Sequence, residues 1–173
     1  MLLIVSPFFD KKELEGDTIF LGPWCFDFDI EQNSINSFNR IASHPFARYG
    51  EKKKAIKYCI DTYNTILPKL AKCLNDIHKT NESINYWKIF FGSWLIRYTE
   101  IYYERFKCVD NALKISPNIH TKTLSENSFY IPKNTLDFVI RSFDHKFNFQ
   151  MYSMILKDLN VPVHDNISLD QNL

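Results

Sequence analysis

The sequence predicts an α/β fold in which a small parallel sheet of two or three short strands lies under predominantly helical cover, in the order ββααβα. Three observations predict it: two short apolar runs near the amino terminus, two long stretches with helical periodicity, and a third strand candidate followed by a last helical region. With 173 residues, 45% of them hydrophobic, and a net charge of +1, the composition is that of a globular chain. We expect one domain over 1–160 and a polar tail over 161–173.

The first two strands are predicted from apolar runs that end at turn residues. Residues 2–5 (LLIV) are followed by Ser6-Pro7, and residues 18–21 (TIFL) by Gly22-Pro23. Neither run alternates with polar residues, which is typical of strands covered on both faces of a parallel sheet. The 12 residues from Ser6 to Asp17 are about the minimum for a crossover, so the spacing allows parallel pairing without requiring it.

Two long helices are predicted in the middle of the chain. From Glu51 to Ile77 apolar residues recur at three- and four-residue steps, and Pro68 inside this stretch predicts a kink or a break. A second helix is predicted over 82–108, and the short connection favours antiparallel packing. The apolar stripe of the second helix consists of Trp87, Phe91, Trp94, Tyr98, Ile101, Tyr102 and Arg105.

The last third of the chain predicts one strand and one interrupted helical region. Ile119, Thr121 and Thr123 alternate along a β-branched segment, which favours a strand. Asn134 has the position of an N-cap for the following helical region, and an interruption is expected near 144–145. We expect the polar segment after 160 to fray.

Composition and motifs exclude several classes of protein. The chain has only four glycines and contains neither a Walker nor a dinucleotide fingerprint, so a conventional phosphate loop is absent. The four cysteines form no CxxC pair, and no 18-residue stretch is free of charge. We therefore expect a cytoplasmic protein without a transmembrane segment, a nucleic-acid partner, a cofactor or a bound metal.

A Gly-x-Trp pattern occurs twice, in 20–25 (FLGPWC) and in 90–95 (FFGSWL). One interpretation is packing, in which the glycine allows close approach and the tryptophan fills the core. The other is recognition. Because open α/β sheets bind ligands beyond the carboxyl ends of their strands, Trp24 is placed to offer a ring face to a sugar. Packing is the commoner role for a tryptophan at helical spacing.

Three further features are candidates for chemistry. Arg105 on an apolar stripe requires an anion, either a buried carboxylate such as Glu104 or a substrate phosphate or carboxylate. Asp27 and Asp29 form a DxD pattern, which is frequent by chance; either carboxylate is a candidate general base. His44 lies in a stretch without periodicity, where a histidine is either an unengaged surface residue or a candidate base.

Several motifs in order resemble the N-terminal region of a transferase family encoded in bacterial O-antigen and other surface-polysaccharide loci. They extend over about 2–159, and two departures stand out: Ser93 replaces the usual proline of the second Gly-Pro-Trp, and 45–46 (PF) replaces a tryptophan with acidic neighbours. The motifs are 18–25 (TIFLGPWC), His44, 74–78 (LNDIH), 86–89 (YWKI), 92–95 (GSWL), 103–106 (YERF) and 131–134 (IPKN).

Members of that family are longer, and their remaining part resembles a glycosyltransferase of the two-Rossmann-domain type. The resemblance implies that this chain is the acceptor-side portion of a glycosyltransferase, inactive without the part that binds the nucleotide sugar. A nucleotide sugar, a saccharide acceptor and a partner chain are the implied partners. We expect the two Gly-x-Trp segments to meet at half of a sugar crevice, with substrate-binding residues Gly22, Trp24, Trp87, Gly92, Trp94 and Arg105 and candidate catalytic residues Asp27, Asp29 and His44.

Two other functions are compatible with the sequence. The chain could be a non-catalytic helical module that docks on a partner protein through an aromatic surface. It could also be a self-sufficient, metal-dependent transferase that uses Asp27 and Asp29.

Overall fold

A computed structural model describes residues 1–10, 12–13, 16–26, 40–116 and 118–169. In these residues it contains five strands and four α-helices. The strands are β1 (Leu2–Ile4), β2 (Thr18–Phe20), β3 (Arg40–Ile41), β4 (His120–Leu124) and β5 (Val163–Ile167). The helices are α1 (Tyr49–His78), α2 (Ile84–Leu113), α3 (Thr135–Arg141) and α4 (His145–Asp158).

All five strands belong to one parallel sheet in the order β3-β2-β1-β4-β5. The predicted α/β class and parallel pairing are confirmed: Leu3 of β1 lies opposite Ile19 of β2 and Thr121 of β4. Thr121 strengthens this centre, because its Oγ1 donates a hydrogen bond of 2.7 Å to the carbonyl of Leu3.

The prediction of two or three strands was wrong, and so was the order ββααβα. The observed order is βββααβααβ, because β3 and β5 were not predicted and the last helical region consists of two helices, α3 and α4. β3 has two exposed residues, and the first four residues of β5 (VHDNI) are exposed, so neither has the apolar run that marked β1 and β2. A polar edge strand is a common way to prevent edge-to-edge aggregation.

β5 pairs with β4 along its whole length in the segment where we expected fraying. One side-chain bond helps to hold it: Thr123 Oγ1 donates to Asn166 Oδ1 at 2.7 Å. The register shifts between Thr121 and Lys122, which is the signature of a bulge.

The described residues group into two compact units, 1–45 with 105–173, and 46–104. We call them the sheet unit and the helical hairpin. In the sheet unit the side chains of Leu3, Ile4 and Ile19 are fully buried, as are Phe149, Ile155 and Leu156 of α4. α4 is joined to the sheet by the Leu124 amide, which donates to Ser153 Oγ at 2.8 Å.

The helical hairpin consists of α1 and the greater part of α2. An early residue of α1 contacts a late residue of α2, and a late one contacts an early one. Tyr58 stacks on Tyr103 with ring centroids 4.4 Å apart, whereas Asn75 bonds to Trp87. The predicted antiparallel packing is therefore confirmed. A break at Pro68 is not observed, since α1 is continuous from Tyr49 to His78. Pro68 is exposed, and the helix continues on both sides of it.

The turn of the hairpin is organised by Asn75. Its Oδ1 accepts bonds from the Glu82 amide, from Thr80 Oγ1 and from Trp87 Nε1, and its Nδ2 donates to the Glu82 carbonyl. Lys79 ends α1 in the left-handed conformation, with φ at 56°. One amide side chain thus links the connection between the two helices to the indole of Trp87.

The caps of α3 and α4 agree with the sequence. Asn134 Oδ1 accepts a bond from the Asp137 amide, and Asp144 Oδ1 accepts one from the Phe147 amide, both at 2.9 Å. The interruption predicted near 144–145 is the boundary between the two helices, where Asp144 is the N-cap of α4.

Candidate functional site

The carboxyl ends of the parallel strands define the first candidate site. The chain runs from β1 outward to β2 and β3, and later returns to place β4 on the other side of β1. Open α/β sheets bind ligands outside the carboxyl ends of their strands, next to such a reversal. The residues that follow these strand ends, which we call the carboxyl edge, are Ser6, Gly22, Trp24, His44 and Ser125.

Gly22 and Trp24 are linked by a close approach within the turn that follows β2. A 3-10 turn over Pro23–Cys25 folds the indole back onto Gly22, where an added Cβ would lie 2.3 Å from Cη2 and Cζ3 of Trp24. The backbone of Gly22 is extended, with φ at −178°, a conformation open to any residue. The glycine is therefore required by the tryptophan ring and not by the backbone angle.

The indole nitrogen of Trp24 is buried and has no hydrogen-bond partner among the described residues. A buried donor without an acceptor costs about 1–3 kcal/mol. The residue as a whole is half-buried. Trp24 is thus half-buried and carries an unsatisfied donor, in the turn that follows the carboxyl end of β2.

Cys25, directly after Trp24, has a structural role. Its Sγ donates to the Ile4 carbonyl at 3.3 Å and so ties the turn to the end of β1. Burial raises the pKa of the Cys25 thiol to about 12. The thiol is therefore protonated at neutral pH and is not a nucleophile.

His44 follows β3 and is exposed. One of its ring nitrogens lies within 4.8 Å of Cys108 Sγ. Next to it, the Ser43 carbonyl accepts a bond from Asn111 Nδ2 at 3.5 Å. Asp27 and Asp29 lie outside the described residues. Of the candidate catalytic residues, the structure thus locates His44, after the edge strand β3 and two strands away from β1, where the strand order reverses.

Arg105 is held by neutral oxygen atoms of the sheet unit. Its Nε and Nη2 donate to Asn148 Oδ1 at 3.0 and 2.9 Å, and Nη2 donates to the Ser142 carbonyl at 3.2 Å. Asn148 Nδ2 donates to the same carbonyl at 2.9 Å. This network joins the last turns of α2 to α3 and α4. These bonds give Arg105 a structural role, and a role of Arg105 in substrate binding stays a prediction.

Trp87, Gly92 and Trp94 belong to the helical hairpin. Trp87 is buried, and its Nε1 donates to Asn75 Oδ1 at 2.9 Å. A Cβ on Gly92 would lie 2.9 Å from the hydroxyl oxygen of Tyr63 on α1. Trp94 is half-buried and stacks on Tyr98 with ring centroids 5.1 Å apart. A role of these three residues in substrate binding stays a prediction.

A profile described as LIC12162 family transferase matches residues 1–172. The chain belongs to this transferase family. It has no match among curated proteins or among solved structures. The predicted membership of a transferase family is confirmed.

One concave feature of this family member was not predicted. A cleft of about 1030 Å³ lies beside β4, β5 and α4. Its polar walls include Ser125 and Asn166, and Lys157 pairs there with Glu126 at 2.8 Å. Lys157 lowers the pKa of the Glu126 carboxyl. Because β5 gave no signal in the sequence, no cleft could be predicted beside it.

None of the described helices is both long enough and apolar enough to cross a bilayer.

Proposed function

We propose that this chain is the acceptor-side portion of a glycosyltransferase of bacterial surface-polysaccharide biosynthesis, acting in the cytoplasm. The observation that carries the proposal is the transferase family match over 1–172. The sheet supports it, because Trp24 and His44 both follow strand ends at its carboxyl edge.

The proposed acceptor is a saccharide, and Trp24 is its main contact. Sugars present flat apolar faces between their hydroxyls, and these faces stack on aromatic rings. The ring of Trp24 is held over Gly22, which fixes its orientation before a ligand arrives. A rigid ring loses little conformational entropy on binding.

The proposed reaction is glycosyl transfer to a hydroxyl of that acceptor. The acceptor oxygen bonds to the anomeric carbon of a nucleotide sugar while the bond from that carbon to the diphosphate breaks. A general base takes the hydroxyl proton, and the diphosphate leaves with the electron pair. His44 is the base candidate that the structure locates, and Asp27 and Asp29 are the others.

In this proposal the donor sugar is bound outside this chain. The sequence contains no Walker or dinucleotide fingerprint. The isolated chain is therefore expected to bind acceptor saccharides but not to catalyse the transfer. Addition of a partner that holds the nucleotide sugar should supply the remaining step.

An array of bacterial O-antigen and capsular oligosaccharides, followed by calorimetric titration, tests the proposal. We expect binding by the unmodified chain and at least a ten-fold loss of affinity in Gly22→Ala, where the indole is displaced. Gly50→Ala is the matched control, since a Cβ at Gly50 meets nothing within 4 Å. Trp24→Phe removes the indole while leaving Gly22 in place.

The proposal fails if no saccharide on the array binds. It also fails if the Gly22→Ala and Trp24→Phe variants, shown to be folded by circular dichroism, bind as tightly as Gly50→Ala.

A further inference from the structure

The first turns of α1 concentrate positive charge. Residues 48–60 contain five basic side chains and one acidic side chain, a net charge of +4, whereas the whole chain has +1. The basic residues are Arg48, Lys52, Lys53, Lys54 and Lys57, and the acidic one is Glu51.

Exposed apolar residues lie among these charges on one side of the helix. With 3.6 residues per turn, Tyr49, Lys53, Ile56 and Ile60 share a stripe about 60° wide. Tyr49 is 83% exposed, Ile56 57% and Ile60 47%. Lys52 and Lys57 border the stripe, one on each side. We call these six residues the α1 patch.

The acidic residue is on the other side of the helix. Glu51 lies opposite the stripe and pairs with Lys54, with Nζ and Oε1 3.0 Å apart. In the part of the chain that the structure describes, Lys52, Lys53 and Lys57 have no ion-pair partner. The patch therefore presents unpaired cations around an apolar centre.

The helix dipole does not favour Lys52. The amino terminus of a helix carries a partial positive charge, so a cation in the first turn of α1 is unfavourable. Arg48, the N-cap residue, makes no side-chain capping bond. An external anion would offset the repulsion that the helix itself does not relieve.

We propose that the α1 patch binds the surface of an anionic lipid bilayer. Isoleucine and tyrosine side chains enter the boundary between headgroups and acyl chains, and lysines extend beside them to lipid phosphates. The exposed isoleucines favour a bilayer over a nucleic acid, whose phosphates need cations but no aliphatic contacts. The inference is independent of the proposed glycosyl transfer.

Co-sedimentation with lipid vesicles tests the inference. The full chain is mixed with phosphatidylcholine vesicles and with vesicles that also contain about 30 mol % phosphatidylglycerol. We expect binding to the anionic vesicles at least about ten-fold tighter than to the neutral ones, and weaker binding at high salt.

Two charge-matched variants locate the surface. Lys52→Glu with Lys57→Glu should weaken vesicle binding at least about ten-fold. Lys69→Glu with Lys72→Glu makes the same change of charge on another side of α1 and should weaken it less than about two-fold. The first variant should remain folded, because Lys52 and Lys57 are both exposed and an acidic residue at position 52 is favoured by the helix dipole.

An apolar variant separates lipid from other polyanions. Ile56→Ser with Ile60→Ser should also reduce vesicle binding at least about ten-fold, without a change of charge. The inference is overturned by equal binding to both vesicle types, by equal loss in the two lysine variants, or by no loss in the isoleucine variant. Binding of duplex DNA as tight as that of anionic vesicles would overturn it as well.

Discussion

Two segments share the Gly-x-Trp pattern but differ in structure, and the glycine of each makes room for a different aromatic side chain. In the sheet unit, Gly22 leaves room for the indole of its own Trp24. In the helical hairpin, Gly92 leaves room for Tyr63 of the neighbouring helix, while Trp94 stacks on Tyr98. The similarity of the two segments therefore reflects two separate packing solutions.

The indole nitrogens of Trp24 and of Trp87, which precedes the second Gly-x-Trp segment, differ in their hydrogen bonding. The indole nitrogen of Trp24 lacks a partner among the described residues, whereas that of the hairpin's Trp87 is satisfied by Asn75. Buried polar groups are nearly always hydrogen-bonded, so the unpaired Trp24 donor marks a candidate ligand contact, whereas the paired Trp87 donor is structural. Trp24 and Trp94 lie in different units, and their joint crevice stays a prediction.

Gly22→Ala should produce the largest effect. The new Cβ would lie 2.3 Å from the Trp24 ring, so the ring must move or the turn must distort. We expect a loss of about 1–3 kcal/mol in the free energy of unfolding, measured in denaturant. Gly50→Ala should be neutral or slightly stabilising. Equal stability of the two variants would contradict the packing of Trp24 on Gly22.

Asn75→Ala should come next and should act on the hairpin. It removes the acceptor shared by Thr80, Glu82 and Trp87 and leaves the Trp87 donor buried. A loss of about 1–2 kcal/mol in the free energy of unfolding is expected. Hydrogen exchange at the Trp87 indole should accelerate while exchange in β1 stays unchanged. Unchanged exchange at Trp87 would show that the turn does not depend on Asn75.

A double-mutant cycle tests the second glycine. Alanine is favoured over glycine in a helix by about 1 kcal/mol, but at Gly92 it meets the Tyr63 hydroxyl at 2.9 Å. Gly92→Ala should therefore be close to neutral alone and stabilising by about 0.5–1 kcal/mol in a Tyr63→Phe background. Additive effects of the two changes would exclude the contact with Tyr63.

The smallest expected effect is a pH dependence of stability that arises from His120. His120 Nδ1, like Trp24 Nε1, has no partner among the described residues. Burial lowers the pKa of His120, assisted by the amino-terminal ammonium group and by His164. The unfolded chain therefore binds the proton first, and stability should fall as pH drops below about 6.5.

His120→Gln should flatten this dependence between pH 5 and 7, as followed by thermal unfolding at each pH. His44→Gln is the control, because His44 is exposed. An equal pH dependence of the His120→Gln variant and the unmodified chain would exclude His120 as its source.

The sequence indicated the elements that bury apolar runs or repeat at helical spacing. β1, β2 and β4, both long helices and the cap at Asn134 were all predicted close to where they lie. β3 and β5 were not, because Arg40 and the polar residues of β5 are exposed and pair through their backbones. Backbone pairing leaves little trace in side-chain pattern.

The candidate site was predictable in position but not in detail. The position of Trp24 after a strand can be predicted, because the apolar run that forms β2 ends just before Gly22. That the indole lies on Gly22 depends on the 3-10 turn. Similarly, the sequence predicts an anion beside Arg105, whereas Asn148, whose neutral Oδ1 accepts its hydrogen bond, lies 43 positions away and only the fold brings it near.

Nuclear magnetic resonance of the tryptophan indoles tests the central claim most directly. The chain, labelled with ¹⁵N at its three tryptophans, is titrated with the O-antigen oligosaccharides used on the array. The account predicts that the Trp24 indole signal shifts as saccharide binds, whereas that of Trp87, already bonded to Asn75, does not. A Trp24 signal that remains unchanged at the highest saccharide concentration would contradict it.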